Sequence, residues 1–124
     1  MKKSHRVLVV DDNDDVRNSL CEVLLRTGFQ IGIAENGVEA LKIFSDKDFD
    51  LVLTDSQMPY MDGLTLACEI RKRKPKTLII MMSADTQIST QTKEVADYFL
   101  TKPFGIQEMH NLISRAFDSE AQIH

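Results

Sequence analysis

Five short apolar runs recur along the chain and alternate with longer stretches of mixed polarity. They are Val7–Val10, Phe29–Ala34, Leu51–Thr54, Leu78–Met82 and Tyr98–Leu100. The first, third and fourth runs are almost continuously apolar, as is typical of strands buried on both faces of a parallel sheet. The second run contains Gln30 and Gly32, which favours the edge of a sheet, and the fifth run is short. The pattern therefore predicts five strands.

Four of the intervening stretches space their apolar residues as amphipathic helices do. The first helix is marked by Val16, Leu20, Val23 and Leu24, the second by Val38, Leu41 and Phe44, the third by Leu64, Ala67 and Ile70, and the last by Ile106, Met109, Leu112, Ile113 and Phe117. Asn13 or Asp14 can cap the first helix, and Gly28 can end it in the left-handed conformation. The stretch between Asp85 and Asp97 is rich in β-branched and hydroxyl residues, so it favours a helix only weakly.

Strict alternation of strands and helices predicts an α/β fold with a doubly wound parallel sheet, right-handed crossovers and helices on both faces. The 124 residues suit one domain, which we expect to span residues 1–124 with its core at about residues 6–117. In an open parallel sheet, ligands bind beyond the carboxyl ends of the strands. The residues that end each apolar run are therefore the first candidates for function.

Charged and hydroxyl residues occupy these strand ends. Asp11 and Asp12 end the first run, Asp55 the third, Ser83 the fourth and Lys102 the fifth. Adjacent carboxylates raise one another's pKa, and a divalent cation relieves their repulsion. An oxygen-only site with few protein ligands suits Mg²⁺. Asp55 is then placed to attack a phosphoryl group and form an aspartyl phosphate, with Mg²⁺, Lys102 and Ser83 each holding one phosphoryl oxygen.

Each of these residues also has a purely structural interpretation. Asp12 or Asn13 can cap the first helix, and Ser83 can cap a later one. Asp55 can be a turn residue. Lys102 can be a solvated surface lysine, although the apolar run before it and the proline after it argue against that.

The motifs around these residues resemble the receiver domain of two-component response regulators, with a resemblance that runs from about Arg6 to Phe117. The matching segments are Val-Leu-Val-Val-Asp-Asp-Asn at 7–13, Asp-Ser-Gln-Met-Pro-Tyr-Met-Asp-Gly at 55–63, Met-Ser-Ala at 82–84 and Lys-Pro-Phe at 102–104. The resemblance implies a flavodoxin-like sheet of strand order 2-1-3-4-5 with five helices, as in chemotaxis regulators. It also implies a domain that catalyses its own phosphorylation and dephosphorylation.

The resemblance assigns the phosphoacceptor and the metal ligands. Asp55 is the phosphorylation site, and the phosphoryl donor is a histidine kinase or a phosphotransfer protein. The implied cofactor is Mg²⁺, held by Asp11, Asp12, Asp55 and the backbone carbonyl of Gln57. The modified domain is then expected to switch conformation and control an output domain or protein that the sequence does not identify.

The resemblance also assigns the switch residues. By this resemblance Ser83 and Lys102 contact the phosphoryl group. Phe99 matches the aromatic residue of the switch, whose side chain rotates. Tyr98 is one position away from that match. A cis peptide bond is expected before Pro103.

The chain departs from the family pattern at several positions. Ser56 stands where an apolar residue is usual, and Val95 where glycine is common. Gln57 and Asp85 occupy positions that tune dephosphorylation. Ser83 and Lys102 lie 19 positions apart, about three fewer than usual, which is roughly one helical turn. We therefore expect a fourth helix that is short, shifted or partly disordered, on the face that receivers use for dimerisation or output.

Charge and apolar run length indicate which kinds of partner this domain is not expected to bind directly. The net charge of −4 argues against direct nucleic-acid binding by this domain. No apolar run approaches the ~20 residues needed to span a bilayer, so no membrane insertion is expected. The basic start of the chain leads into only four apolar residues, Val7–Val10, which is too short for a signal peptide and favours a cytoplasmic location. A homodimer stays open.

Three alternatives compete with a phosphorylated receiver. A nucleotide- or flavin-binding domain requires a glycine-rich loop after the first strand, where this chain has Asp-Asp-Asn-Asp-Asp at 11–15. A phosphatase of the haloacid dehalogenase type places its nucleophile after the first strand in a DxD pattern, which Asp11-Asp12-Asn13 does not match. A degenerate receiver that serves only protein contacts would lack pocket residues that are present here.

Overall fold

The computed structural model describes residues 5–85 and 87–122, with side chains described up to residue 118. Strands and helices alternate along it: β1 Arg6–Val10, α1 Asp14–Arg26, β2 Gln30–Ala34, α2 Gly37–Asp46, β3 Leu51–Asp55, α3 Gly63–Arg73, β4 Leu78–Ser83, α4 Thr90–Val95, β5 Tyr98–Thr101 and α5 Ile106–Gln122. The strands form one parallel sheet of order β2-β1-β3-β4-β5. This confirms the doubly wound α/β fold, its strand order and the edge position of β2.

The sheet divides the core into two apolar layers, because successive side chains of a strand point to opposite faces. Val7 and Val9 of β1 pack on the layer that α1 and α5 cover. Leu8 and Val10 pack on the layer that α2 and α3 cover. The central strands are buried on both faces, which explains why their sequences are almost continuously apolar.

The helix starts follow from side-chain caps. The Asn13 side chain accepts the N–H of Val16 at the start of α1, and Asn36 and Asp62 do the same for α2 and α3. Of the three candidate caps for α1, namely Asp12, Asn13 and Asp14, the structure selects Asn13. After α1 the chain turns at Gly28, whose φ of 98° is the left-handed conformation that was predicted there.

The fourth helix is short, as the spacing between Ser83 and Lys102 predicts. It covers six residues, Thr90–Val95, begins at a Ser89 cap and has no buried residue. Thr86, in the segment that leads to it, lies outside the described residues. The Arg71 side chain of α3 donates to the Val95 carbonyl at 2.6 Å and to the Asp97 carboxylate at 2.9 Å. A side chain from a neighbouring helix thus binds the carboxyl end of α4.

Candidate phosphoacceptor site

Three carboxylates meet at the carboxyl edge of the sheet. Val10 of β1 lies opposite Thr54 of β3, so Asp11 and Asp55, which follow these residues, reach the same level. One carboxylate oxygen from each of Asp11, Asp12 and Asp55 can be chosen so that all three lie within 4.8 Å of one another. Asp11 and Asp55 are buried, whereas Asp12 is exposed. The structure therefore brings the three predicted carboxylates together.

The Lys102 ammonium bridges the two buried carboxylates. Its Nζ lies 3.2 Å from Asp11 Oδ2 and 3.3 Å from Asp55 Oδ2. Burial alone would lower the pKa of Lys102. The carboxylates of Asp55 and Asp11 together raise it by more than burial lowers it, so the pKa lies above its ordinary value. The half-buried lysine therefore stays charged at neutral pH. The peptide bond between Lys102 and Pro103 is cis, as predicted.

The carboxylate of Asp55 is buried, and its pKa is shifted by its surroundings. Burial is the largest cause that raises its pKa above the ordinary 3.8; the Lys102 charge lowers it and the Asp11 charge raises it again. The expectation that neighbouring carboxylates raise the pKa is thus confirmed for Asp55, although desolvation contributes more than repulsion. The Gln57 N–H lies 3.5 Å from Asp55 Oδ1.

Asp11 is held at both of its carboxylate oxygens and at its carbonyl. The Asn13 N–H donates to Oδ1 at 2.9 Å, and Lys102 donates to Oδ2. The Arg17 side chain donates to the backbone carbonyl at 2.8 Å. Sequence reasoning missed Arg17, although one signal was available: it stands three residues before Leu20 and seven before Leu24, on the apolar stripe of α1.

The two predicted switch residues lie on neighbouring strands beside the carboxylates. Ser83 ends β4; its carbonyl accepts the Lys102 N–H at 2.8 Å, and its hydroxyl accepts the Asp85 N–H at 3.0 Å. Phe99 of β5 is half-buried on the α2–α3 layer, and it lines the same surface pocket as Ser83 and Gln57. Tyr98 packs on the opposite layer.

The donor set fits Mg²⁺. Hard oxygen ligands with net negative charge, one of them exposed to solvent, are what this cation uses when it keeps part of its hydration shell. Asp11, Asp12 and Asp55 are the side chains that would hold it, and the Gln57 carbonyl, two residues after Asp55, stays the predicted fourth ligand.

The loop after β3 holds one strained residue. Tyr60 has a φ of 71°, and the Met61 N–H donates to the Pro59 carbonyl across it at 2.8 Å. The residue as a whole is 88% exposed. A bulky side chain in this backbone region costs free energy that glycine does not.

We expect Tyr60→Gly to raise the free energy of unfolding by about 1 kcal/mol relative to Tyr60→Ala. Both variants lose the exposed ring, so only the backbone preference differs between them. Urea titrations followed by circular dichroism measure the difference. Equal midpoints for the two variants would contradict a strained backbone.

The fold and the site together define a receiver of the kind that the motifs resemble. A family model, response regulator receiver domain, matches residues 7–114. The chain belongs to this family and is a response regulator receiver domain of two-component systems.

Relatives among known proteins agree with this assignment. The chain is 34% identical to the regulatory protein AtoC of Escherichia coli K12 over 98% of its own length, and 39% identical to the DNA-binding transcriptional regulator NtrC of the same strain over 89%. It spans only 27% and 24% of those two proteins.

Solved structures show the same fold. The response regulator TrrA from Thermotoga maritima, in complex with Mg²⁺ and BeF, is 38% identical with a TM-score of 0.83, and the match covers 90% of this chain and 97% of that one. A CheY-like receiver domain from Methanospirillum hungatei reaches a TM-score of 0.93 at 25% identity, and the match covers 98% of this chain and 100% of that one.

The helices of residues 5–85 and 87–122 include none with the length and apolar character that a membrane span requires.

Proposed function

We propose that Asp55 accepts a phosphoryl group from a histidine kinase or phosphotransfer protein in a Mg²⁺-dependent reaction. The observation that carries the proposal is the Asp55 carboxylate itself, buried at the sheet edge with the Lys102 ammonium 3.3 Å away and two further carboxylates beside it. TrrA, a relative in sequence and fold, was solved with Mg²⁺ and BeF, which supports the same chemistry here.

Each side chain of the site has its own role in the proposed phosphoryl transfer. Asp55 supplies the nucleophilic oxygen, and the Lys102 charge can stabilise the negative charge on the transferred group. Asp11 and Asp12 would hold Mg²⁺, which when bound screens the phosphoryl oxygens from the carboxylates. Ser83 would donate its O–H to the phosphoryl group, and its oxygen can keep accepting the Asp85 N–H because a hydroxyl both donates and accepts.

The output side of the proposal follows from the position of Phe99. This ring shares a pocket with Ser83 and lies on β5, next to the short α4. A rearrangement at Ser83 can therefore reach the surface of α4 through Phe99, where an output domain or protein would sense it. NtrC, one relative, is a DNA-binding regulator. For this chain a cytoplasmic location stays a prediction, and neither its output nor a homodimer was predicted.

Acetyl phosphate, a small phosphodonor, tests the proposal without a kinase. Incubation with this donor and Mg²⁺ is expected to add one phosphoryl group to the intact mass, and chelation of Mg²⁺ with EDTA is expected to prevent the addition. Absence of modification with acetyl phosphate and with every kinase tried would instead favour a degenerate receiver that serves only protein contacts.

A groove beside the site offers a place for the phosphodonor protein. It is lined by residues of α1, of the segment after β5 and of the start of α5, and by one residue after β4; they are Asp15, Val16, Ser19, Leu20, Ala84, Lys102, Pro103, Phe104 and Ile106. Because Lys102 lines the groove and also contacts Asp55, a protein segment in this groove lies next to the phosphoacceptor. Ile106 is 45% exposed there. A helix that carries the donor histidine is the occupant that we propose.

Ile106→Asp is expected to slow phosphotransfer from a histidine kinase by about tenfold, because it places a charge in an apolar contact. The rate with acetyl phosphate should not change. Val38→Asp is the matched control, since Val38 is 40% exposed in the first turn of α2. Equal loss in both variants, or loss with acetyl phosphate as well, would contradict docking in this groove.

A further inference from the structure

Arg17 is a buried cation that contacts the backbone of Asp11, one of the three clustered carboxylate residues Asp11, Asp12 and Asp55. Only 7% of the residue is exposed, although it carries a permanent charge. Its Nη1 donates to the Asp11 carbonyl at 2.8 Å, and its Nη2 pairs with the Asp14 carboxylate. Its Nε is buried without a hydrogen-bond partner among the described residues. A group held at this cost invites a functional explanation.

The contact with the Asp11 carbonyl lies where β1 passes into α1. Asp11 and Asp12 lie in that junction, so the orientation of their side chains depends on the conformation of the backbone there. The Asp11 side chain is held by hydrogen bonds from Asn13 and Lys102, and its backbone carbonyl is held by a hydrogen bond from Arg17. The side chain of Asp12 is exposed, so its direction depends on the backbone that Asp11 shares with it.

We infer that Arg17 is a positioning residue for the divalent cation. It fixes the backbone between Asp11 and Asp12, so that both carboxylates face the same point before the cation arrives. The inference rests on the proposed function, because that function assigns Mg²⁺ to these carboxylates. Groups that orient metal ligands without touching the metal commonly change metal affinity by about 10–100-fold when they are removed.

The sign of the effect separates positioning from simple electrostatics. Arg17→Met removes a positive charge close to the proposed cation site while it keeps a long apolar side chain. Coulomb's law alone predicts that losing this charge makes Mg²⁺ bind more tightly. Positioning predicts the opposite, since the freed junction must be ordered again when the cation binds. A rise in the Kd of a folded Arg17→Met therefore agrees with positioning and contradicts simple electrostatics.

Isothermal titration calorimetry with MgCl₂ alone measures the effect, since the chain has no tryptophan to report binding by fluorescence. Arg17→Met is expected to raise the Kd for Mg²⁺ by about tenfold. Arg26→Met is the matched control on the same helix; Arg26 pairs with Glu22 and is exposed, so the Kd should not change. Arg17→Lys keeps the charge but not the two-pronged contact, and should raise the Kd by less.

The possible outcomes are distinct. If the wild type does not bind Mg²⁺, the proposed function fails. If the wild type binds and Arg17→Met binds equally well or more tightly, the inference about Arg17 is overturned while the proposed function survives. If Arg17→Met does not fold, Arg17→Lys decides: a lower urea midpoint with an unchanged Kd means that Arg17 serves stability only.

Discussion

Asp55→Asn is expected to abolish phosphoryl incorporation and, in the absence of Mg²⁺, to stabilise the fold at neutral pH. Asparagine keeps the shape of the side chain but has no anionic oxygen to attack phosphorus. Intact-mass measurements after incubation with acetyl phosphate and Mg²⁺ should show the added group in the wild type and none in the variant. A modified Asp55→Asn would place the phosphoacceptor elsewhere.

The gain in stability follows from the pKa of Asp55, which burial raises above 3.8 in the folded protein. A raised pKa means that the folded state binds this proton more tightly than the unfolded state does. The free energy of unfolding therefore falls as the pH rises from the unfolded pKa through the folded pKa, and it stays lower above that window. The asparagine of the variant does not titrate, so the variant escapes this loss.

Urea titrations between pH 3 and pH 7 in EDTA measure this difference. The advantage of Asp55→Asn over the wild type should grow with pH across the window and then level off. Asp46→Asn removes an exposed carboxylate on α2, and its stability should differ from that of the wild type by less than the stability of Asp55→Asn does. An advantage for Asp55→Asn that does not depend on pH would contradict the burial argument.

Gly63→Ser is expected to lower the free energy of unfolding by about 2–3 kcal/mol and to slow phosphorylation at the same time. A Cβ at position 63 would overlap the Asp55 carbonyl and would lie 2.7 Å from Met81 Sδ and 2.8 Å from Ser56 Cα. Two of these three atoms are backbone, so the backbone that carries Asp55 must move. Helix propensity alone predicts a small gain, because glycine is a poor helix former.

Gly105→Ser makes the same substitution where a Cβ meets no atom within 4 Å. Its effect should stay within about 0.5 kcal/mol, since serine also suits the start of α5. Urea titrations give the stabilities, and the initial rate with acetyl phosphate reports on Asp55. Unfolding midpoints that agree between the two variants would show that the chain relieves the overlap without moving β3.

The alternation of strands and helices and the carboxylate cluster follow from periodicity and from strand ends, which are local properties, whereas the strand order was implied by the resemblance of the motifs to receiver domains. The length of α4 was predictable for a similar reason, since chain spacing limits the number of turns. Arg17 and Arg71 were not predicted. Their roles depend on side chains that reach carbonyl groups outside their own elements. The place of Arg17 on the apolar stripe of α1 indicates burial, but no local pattern encodes which carbonyl group either arginine binds. The left-handed backbone at Tyr60 was not predicted either, because a tyrosine carries no sequence signal for that conformation.

The short α4 has a consequence for how such a domain can diversify. None of its six residues is buried, and its carboxyl end is held by Arg71 from another helix. Substitutions on an exposed surface usually change stability by less than about 0.5 kcal/mol. The surface that α4 presents can therefore be rewritten at little cost to the fold. Substitutions on this side of the molecule can therefore create contacts with new partners and leave the proposed chemistry at Asp55 unchanged.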